Sequence, residues 1–220
     1  MSTLRPRTLD HVAFWVAGRG VIVRLLVERV GLRVIAEEAH FTLLGGDARR
    51  GKLTLFDAPG PRAVGPLAEV VLSVPDLAGA VARCGSDVIE VGEGITIRFV
   101  PGVSGDVVDL AGVVLRASDP VATASAYEVF GFERVAEARV EVAGAFVEFV
   151  VGDAAIPERP LLNHLAVLVD SAQEQADVAR SLGIEVESMV DAANTIAAFL
   201  TGPGGVRIEY VEHKPTFALT

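Results

Sequence analysis

Apolar residues recur along the chain in short runs of about five to eight, broken by charges and glycines, which is the length of buried strands. Four runs open alike: LDHVAFWVAG (Leu9–Gly18), LAEVVLSVPD (Leu67–Asp76), LAGVVLRASD (Leu110–Asp119) and LNHLAVLVDS (Leu162–Ser171). Each turns through Asp, Ser, Pro or Gly into an amphipathic stretch that ends at a glycine, at Gly31, Gly85, Gly131 and Gly183. The physical reasons are local. Val, Leu, Ile and Phe suit a pleated, half-buried surface. Asp119-Pro120 places a capping carboxylate before a proline at the first helical position, and Pro75-Asp76 and Asp170-Ser171 give similar starts. A glycine after each helix can take the left-handed conformation that ends it. A repeat at roughly 50 residues therefore predicts four strand–helix–strand units.

Further strands are expected at His40–Leu44 and Lys52–Phe56, at Asp87–Val91 and Ile95–Val100, at Arg139–Val142 and Ala145–Val151, and at Thr195–Leu200 and Val206–Val211. Module two is the irregular one: Asp106–Leu110 is its candidate closing strand, yet that stretch runs almost without a turn into the next opening strand. Pro- and Gly-rich linkers at Ala58–Pro66 and Gly152–Pro160 separate modules one from two and three from four. The fold class expected is α+β, with four tandem βαβββ modules forming two curved, barrel-like half-domains. Chain order groups modules one and two in residues 1–110, and modules three and four in 111–220.

Composition narrows the function. The hydrophobic fraction is 51% with 22% charged residues, which excludes a disordered chain. A net charge of −10 repels a phosphate backbone, so nucleic acid is not an expected partner. No apolar run approaches the roughly 18 residues of a membrane span, and the start, MSTLRPRTLDH, lacks a signal-peptide core. The single cysteine, Cys84, agrees with a reducing compartment, and a cytoplasmic location is expected. There is no Cys-x-x-Cys, Gly-x-Ser-x-Gly or His-Glu-x-x-His.

Tandem βαβββ modules that open on a His-bearing strand and close on a Glu-bearing one resemble the vicinal oxygen chelate superfamily of glyoxalase I, extradiol dioxygenases and bleomycin-resistance proteins. The resemblance covers about Leu9 to Glu212, and the module count is most similar to extradiol dioxygenases. It implies metal ligands at equivalent inward positions on the first and last strand of each module. The opening-strand position holds His11, Glu69, Gly112 and His164; the closing-strand position holds Thr54, Glu148 and Glu209, with Asp109 the candidate in module two.

The extradiol pattern calls for two His and one Glu, a facial triad with open positions for Fe(II). His164 and Glu209 fit it; Gly112 departs from it. If modules one and four share a barrel, His11, His164 and Glu209 complete the triad. If modules three and four pair, Glu148, His164 and Glu209 form a set closer to glyoxalase I. Loss of the metal is the third reading. Each residue also has a structural reading: Glu209 as a partner of Arg207, His11 as a capped residue at a strand start, and Glu148 as an edge charge that discourages aggregation. His213 falls on the Glu209 face if its strand persists, as a candidate catalytic proton shuttle. The function expected is a metal-dependent enzyme acting on a small substrate with vicinal oxygens, ring-cleaving dioxygenase-like in preference. The ion expected is divalent, Fe(II) ahead of Mn, Zn or Ni. The alternative is a metal-free binding protein of the antibiotic-sequestering kind. A second copy of the chain is admitted as a partner in a homodimer.

Overall fold

In a computed structural model of the chain, residues 3–49, 51–102, 107–215 and 217 are described. Module one comprises β1 (Thr8–Val16), α1 (Arg19–Leu25) running on into a π turn at Leu26–Val30, β2 (Arg33–Glu37), β3 (Phe41–Gly45) and β4 (Lys52–Asp57). Module two has β5 (Leu67–Val74), α2 (Leu77–Cys84), β6 (Val88–Gly92) and β7 (Ile95–Pro101). Module three has β8 (Asp109–Ala117), α3 (Pro120–Glu128), β9 (Glu133–Ala136), β10 (Arg139–Val142) and β11 (Ala145–Val151). Module four has β12 (Leu162–Leu168), α4 (Ala172–Ser181), β13 (Val186–Asp191), β14 (Thr195–Thr201) and β15 (Arg207–His213).

The expected local chemistry is in place. Asp76, Asp119 and Ser171 accept from backbone N–H groups of Gly79, Ala122 and Glu174, capping α2, α3 and α4. Gly31, Gly85, Gly131 and Gly183 all take positive φ, between 74° and 89°, where the helices end. α1 has no side-chain cap of its own; Glu93, in the β6–β7 hairpin, accepts from Ala17 and Gly18 N–H instead.

The fold class is the expected one: α+β, repeated modules, two curved sheets. The sheets are open rather than closed barrels. In each complete module the first strand pairs in parallel with the last, as in β1–β4, β8–β11 and β12–β15. The modules do not associate in chain order. One sheet runs β13-β14-β15-β12-β1-β4-β3-β2 and joins modules one and four; the other runs β6-β7-β5-β8-β11-β10-β9 and joins modules two and three. A division at residue 110 therefore cuts both sheets. The join in each is an antiparallel pairing of opening strands, β1 with β12 and β5 with β8. Among the described residues, which leave out Asp106 of the expected closing strand, module two is one strand short. Asp109 and Leu110 open β8, and the closing strand is β7, parallel to β5.

All four opening strands carry an irregularity at the same place. The register skips Asp10 before His11, Ala68 before Glu69, Ala111 before Gly112 and Asn163 before His164. A bulge of this kind bends the strand and re-aims the side chain beside it. Outside the bulges, alternation divides the faces. Val12, Phe14 and Val16 of β1 join one continuous core with Leu72, Leu115 and Val167 of the other openers, while His11, Ala13 and Trp15 face the hollow of the curved sheet.

Candidate metal centre

In the hollow of the first sheet, β1, β12 and β15 bring three donor atoms together. His11 Nε2 lies 3.1 Å from His164 Nε2 and 3.2 Å from Glu209 Oε2, and His164 Nε2 lies 2.9 Å from the same oxygen. These are cross-strand neighbours: His164 is opposite Ala13 on β1, and Glu209 is opposite Ala166 on β12. Ala13 and Ala166, both fully buried, leave room for the longer side chains to meet above them. The side chains are 13%, 4% and 10% exposed, so the group sits in a nearly dry site.

The other ring nitrogens fix what these atoms can do. His11 Nδ1 lies 2.8 Å from Asp10 Oδ2, and His164 Nδ1 lies 3.2 Å from Asn163 Oδ1. Both partners are oxygen acceptors, so each Nδ1 carries a proton, and each imidazole, when neutral, turns its Nε2 lone pair inward. Two lone pairs and a carboxylate oxygen within 3.2 Å repel one another unless a cation lies between them. Bonds of about 2.1 Å at right angles place neighbouring donor atoms about 3.0 Å apart, so the triangle suits one face of an octahedral ion. The donor set fits a divalent metal.

Behind each histidine the bulge supplies an oriented partner, and the two sides differ in charge. Asp10, 4% exposed, accepts from Lys52 Nζ at 2.7 Å through both oxygens. His213 Nε2 lies 3.4 Å from Asp10 Oδ1, with its ring stacked on Phe217. On the other side Asn163 faces Arg207 Nη1 at 3.4 Å, and Arg207 is paired with Glu187. Lys52 and Arg207 are equivalent positions, two residues before Thr54 and Glu209 on the closing strands.

The electrostatics follow. Burial opposes charge on His11, but its hydrogen bonds to Asp10 and Glu209 and the charges of both outweigh that, raising it to about 9. His164 moves down, because burial dominates and the His11 charge adds to it against the pull of Glu209. Burial pushes the Glu209 carboxyl up, but hydrogen bonds from both imidazoles hold it below the ordinary carboxylate range; Asp10 is likewise held low by His11, His213 and Lys52. In the absence of metal, a proton on His11 occupies the place of the cation.

Aromatic rings wall the hollow. Phe199 meets the His164 ring edge-on at 5.3 Å, Phe56 lies at 6.3 Å, and Trp15 and Phe41 extend the wall from Phe56 at 5.2 and 5.5 Å. Two clefts, of about 530 and 540 Å³, lie away from the triad beside the linkers.

Among the described residues the sheet of modules two and three has no such centre. Glu69 is paired with Arg98 Nε at 2.7 Å, so a guanidinium on the closing strand of module two faces the carboxylate on its opener. Glu148 lies in this sheet, 3.9 Å from Arg139, and not with His164 and Glu209; a set built on it would need modules three and four side by side. Gly112 cannot be remedied, since a Cβ there would lie 2.5 Å from the Phe146 ring and from the Phe146 carbonyl. Asp109 caps its own strand start, accepting from Gly51 and Leu110 N–H. His213 does continue the Glu209 face, but its contact is Asp10 rather than the triad. The residues that sequence reasoning passed over are Asp10, Lys52 and Asn163. A signal was present in the pairs Asp-His and Asn-His: strict alternation would turn Asp10 into the core, where an unpaired carboxylate is untenable.

No family model matches the sequence, and no curated protein matches it. Solved structures do. A "putative dioxygenase" from Bacillus subtilis aligns with a TM-score of 0.77 at 15% identity, covering 98% of this chain and 88% of that one. Glyoxalase I from Zea mays aligns at 0.73 and 13% identity, covering 93% and 92%. The cppA protein from Streptococcus pneumoniae aligns at 0.67 and 14% identity, covering 96% and 100%. At such identities the likeness speaks for the fold. Taken with the repeated modules and the parallel pairing of first and last strands, it gives this chain the fold of the vicinal oxygen chelate superfamily.

Proposed function

We propose that the protein is a metal-dependent enzyme of the glyoxalase and extradiol-dioxygenase type, in which His11, His164 and Glu209 hold one divalent ion. The observation that carries this reading is the convergence of two inward imidazole lone pairs and one carboxylate oxygen within 3.2 Å, with both outer ring nitrogens fixed by acceptors. His11, His164 and Glu209 would hold the ion, which when bound would supply Lewis-acid or dioxygen chemistry to two neighbouring oxygens of a small substrate. A two-histidine, one-carboxylate set favours Fe(II), and with it ring cleavage of a catechol-like compound, ahead of Mn, Zn or Ni.

The chain's own residues have definable parts in this. Asp10 and Asn163 orient the imidazoles, and Lys52 balances the Asp10 charge. Phe56, Phe199 and Trp15 keep water from the reacting oxygens and offer flat faces to an aromatic ring. His213, whose Nε2 lies 3.4 Å from Asp10 Oδ1, is the candidate proton shuttle at the edge of the site.

One observation favours the alternative, a metal-free small-molecule binder: His11 Nε2 and Glu209 Oε2 lie 3.2 Å apart, so a single proton between them would also satisfy the pair. Elemental analysis separates the two. Protein purified without chelator, or reconstituted with Fe(II) or Mn(II), is expected to hold close to one ion per chain and to lose it in His164→Ala. Absence of bound ion after reconstitution would overturn the enzyme reading and leave the binder.

A further inference from the structure

We infer that Arg62 is a specificity residue that receives a carboxylate on the substrate, at the rim of the aromatic wall. The inference deepens the proposed function by naming a substrate class, and it rests on that reading for what happens at the other end of the molecule.

Arg62 lies in the linker between modules one and two, and its guanidinium sits over the Trp15 ring, 5.9 Å from the centroid. Trp15 leads through Phe56 to His164. Arg62 Nε is sealed from solvent and has no hydrogen-bond partner, and no carboxylate of the described residues pairs with it. Arg62 as a whole is only half-buried and lines the neighbouring cleft, so an acceptor would reach the guanidinium from that side and not at the sealed Nε. The contrast with Arg207 is direct. That guanidinium also lies on an aromatic face, 4.2 Å over Phe199, but it is paired with Glu187 and Asn163. Of the two arginines stacked on the wall, only Arg62 has its charge unspent.

The backbone that carries Arg62 is fixed on both sides. Ala58 N–H donates to Val16, Leu161 N–H donates to Ala63, and Ala63 bridges to Pro160 of the other linker. Beside it lies the cleft of about 540 Å³, lined by Pro59, Pro61, Arg62, Pro157, Glu158 and Arg159. Strand geometry places Trp15 roughly 13 Å along β1 from His11. That span suits a compound with two vicinal oxygens at one end, an aromatic body against Phe56 and Trp15, and a carboxylate on a short arm. A planar guanidinium meets a carboxylate through two parallel N–H bonds, which a neutral amide cannot reproduce.

The test needs no metal and no turnover. Trp15 is the chain's single tryptophan, so its fluorescence reports this place alone. Metal-free protein is titrated with phenylpropionate and with phenylpropionamide. The carboxylate is expected to bind at least about tenfold more tightly, Arg62→Gln to abolish that preference, and Arg159→Gln, which removes an exposed charge from the same cleft, to preserve it. Equal binding of the two probes, no binding of either, or a preference that survives in Arg62→Gln would overturn the inference. Elemental analysis reads the metal separately. A carboxylate preference without bound ion would leave Arg62 as an anion site in a binding protein, whereas bound ion without the preference would leave the metal reading intact and remove Arg62 from it.

Discussion

A buried lysine and aspartate behind a histidine are a stringent arrangement. Asp10 and Lys52 are each almost wholly enclosed, so removing one partner strands the other's charge. Lys52→Met is expected to cost about 3–5 kcal/mol, read from urea denaturation. The double change Asp10→Asn with Lys52→Met should recover most of that loss, because it gives His11 the neutral partner that His164 already has in Asn163. Its metal affinity should still fall about 10- to 100-fold, since the orienting carboxylate is gone. The titration of His11 sets the pH dependence. Its value is raised from 6.5 to about 9, so its stabilising pair with Asp10 and Glu209 is complete below about 6.5 and is lost as pH climbs through 9. Asp10 and Glu209 are depressed, so their contribution holds above the ordinary carboxylate range and fades as pH falls below it. His164 is depressed, so its part is present above its ordinary value of 6.5 and is lost as pH falls below it, and the melting temperature of metal-free protein should therefore peak near about pH 6.5. Metal must displace the His11 proton, so apparent affinity should rise about tenfold per pH unit between about 7 and 9 and then level off. Calorimetry in buffers of different ionisation enthalpy would detect the released proton.

The opening strand with its bulge is the unit that makes or withholds a site. All four openers have the bulge, but only in modules one and four does it carry a polar residue, Asp10 or Asn163, beside a histidine. In modules two and three the bulge residues are Ala68 and Ala111, packed with Val71, Val114 and Phe146 in a small apolar cluster. That cluster occupies the space a ligand would need. Gly112→Ala is accordingly expected to destabilise by about 1–3 kcal/mol or more, because part of the clash is with the Phe146 carbonyl and no rotamer change relieves it. A shift in the midpoint of denaturation with an unchanged slope would register this.

Across the molecule, the two ends of the chain are held together by the first sheet. β1 contributes His11, and β12 and β15, more than 150 residues later, contribute the rest. Fragments 1–110 and 111–220 each lack half of both sheets, so expressed separately they should show neither cooperative unfolding nor metal binding. An intact chain in excess ion should gain about 2.7 kcal/mol at a concentration one hundred times the dissociation constant, seen as a rise in melting temperature that chelator reverses. Among the described residues no helix is long and apolar enough to cross a membrane.

Local rules were legible in the sequence: helix caps at Asp76, Asp119 and Ser171, the terminating glycines, and the alternation that sets His11, His164 and Glu209 apart from the core face. Each depends on a few neighbouring residues, and a repeat displays it several times over. The ligand grouping was not legible, because two donor sets, and loss of the metal, were compatible with the same strands until the sheets declared which modules adjoin. Nor were the bulges, which set Asp10 and Asn163 beside their histidines, or the missing strand that turns Asp109 into the start of β8. Those depend on pairings between strands far apart in the chain, where burial of whole faces, rather than the preference of any residue, chooses the neighbour.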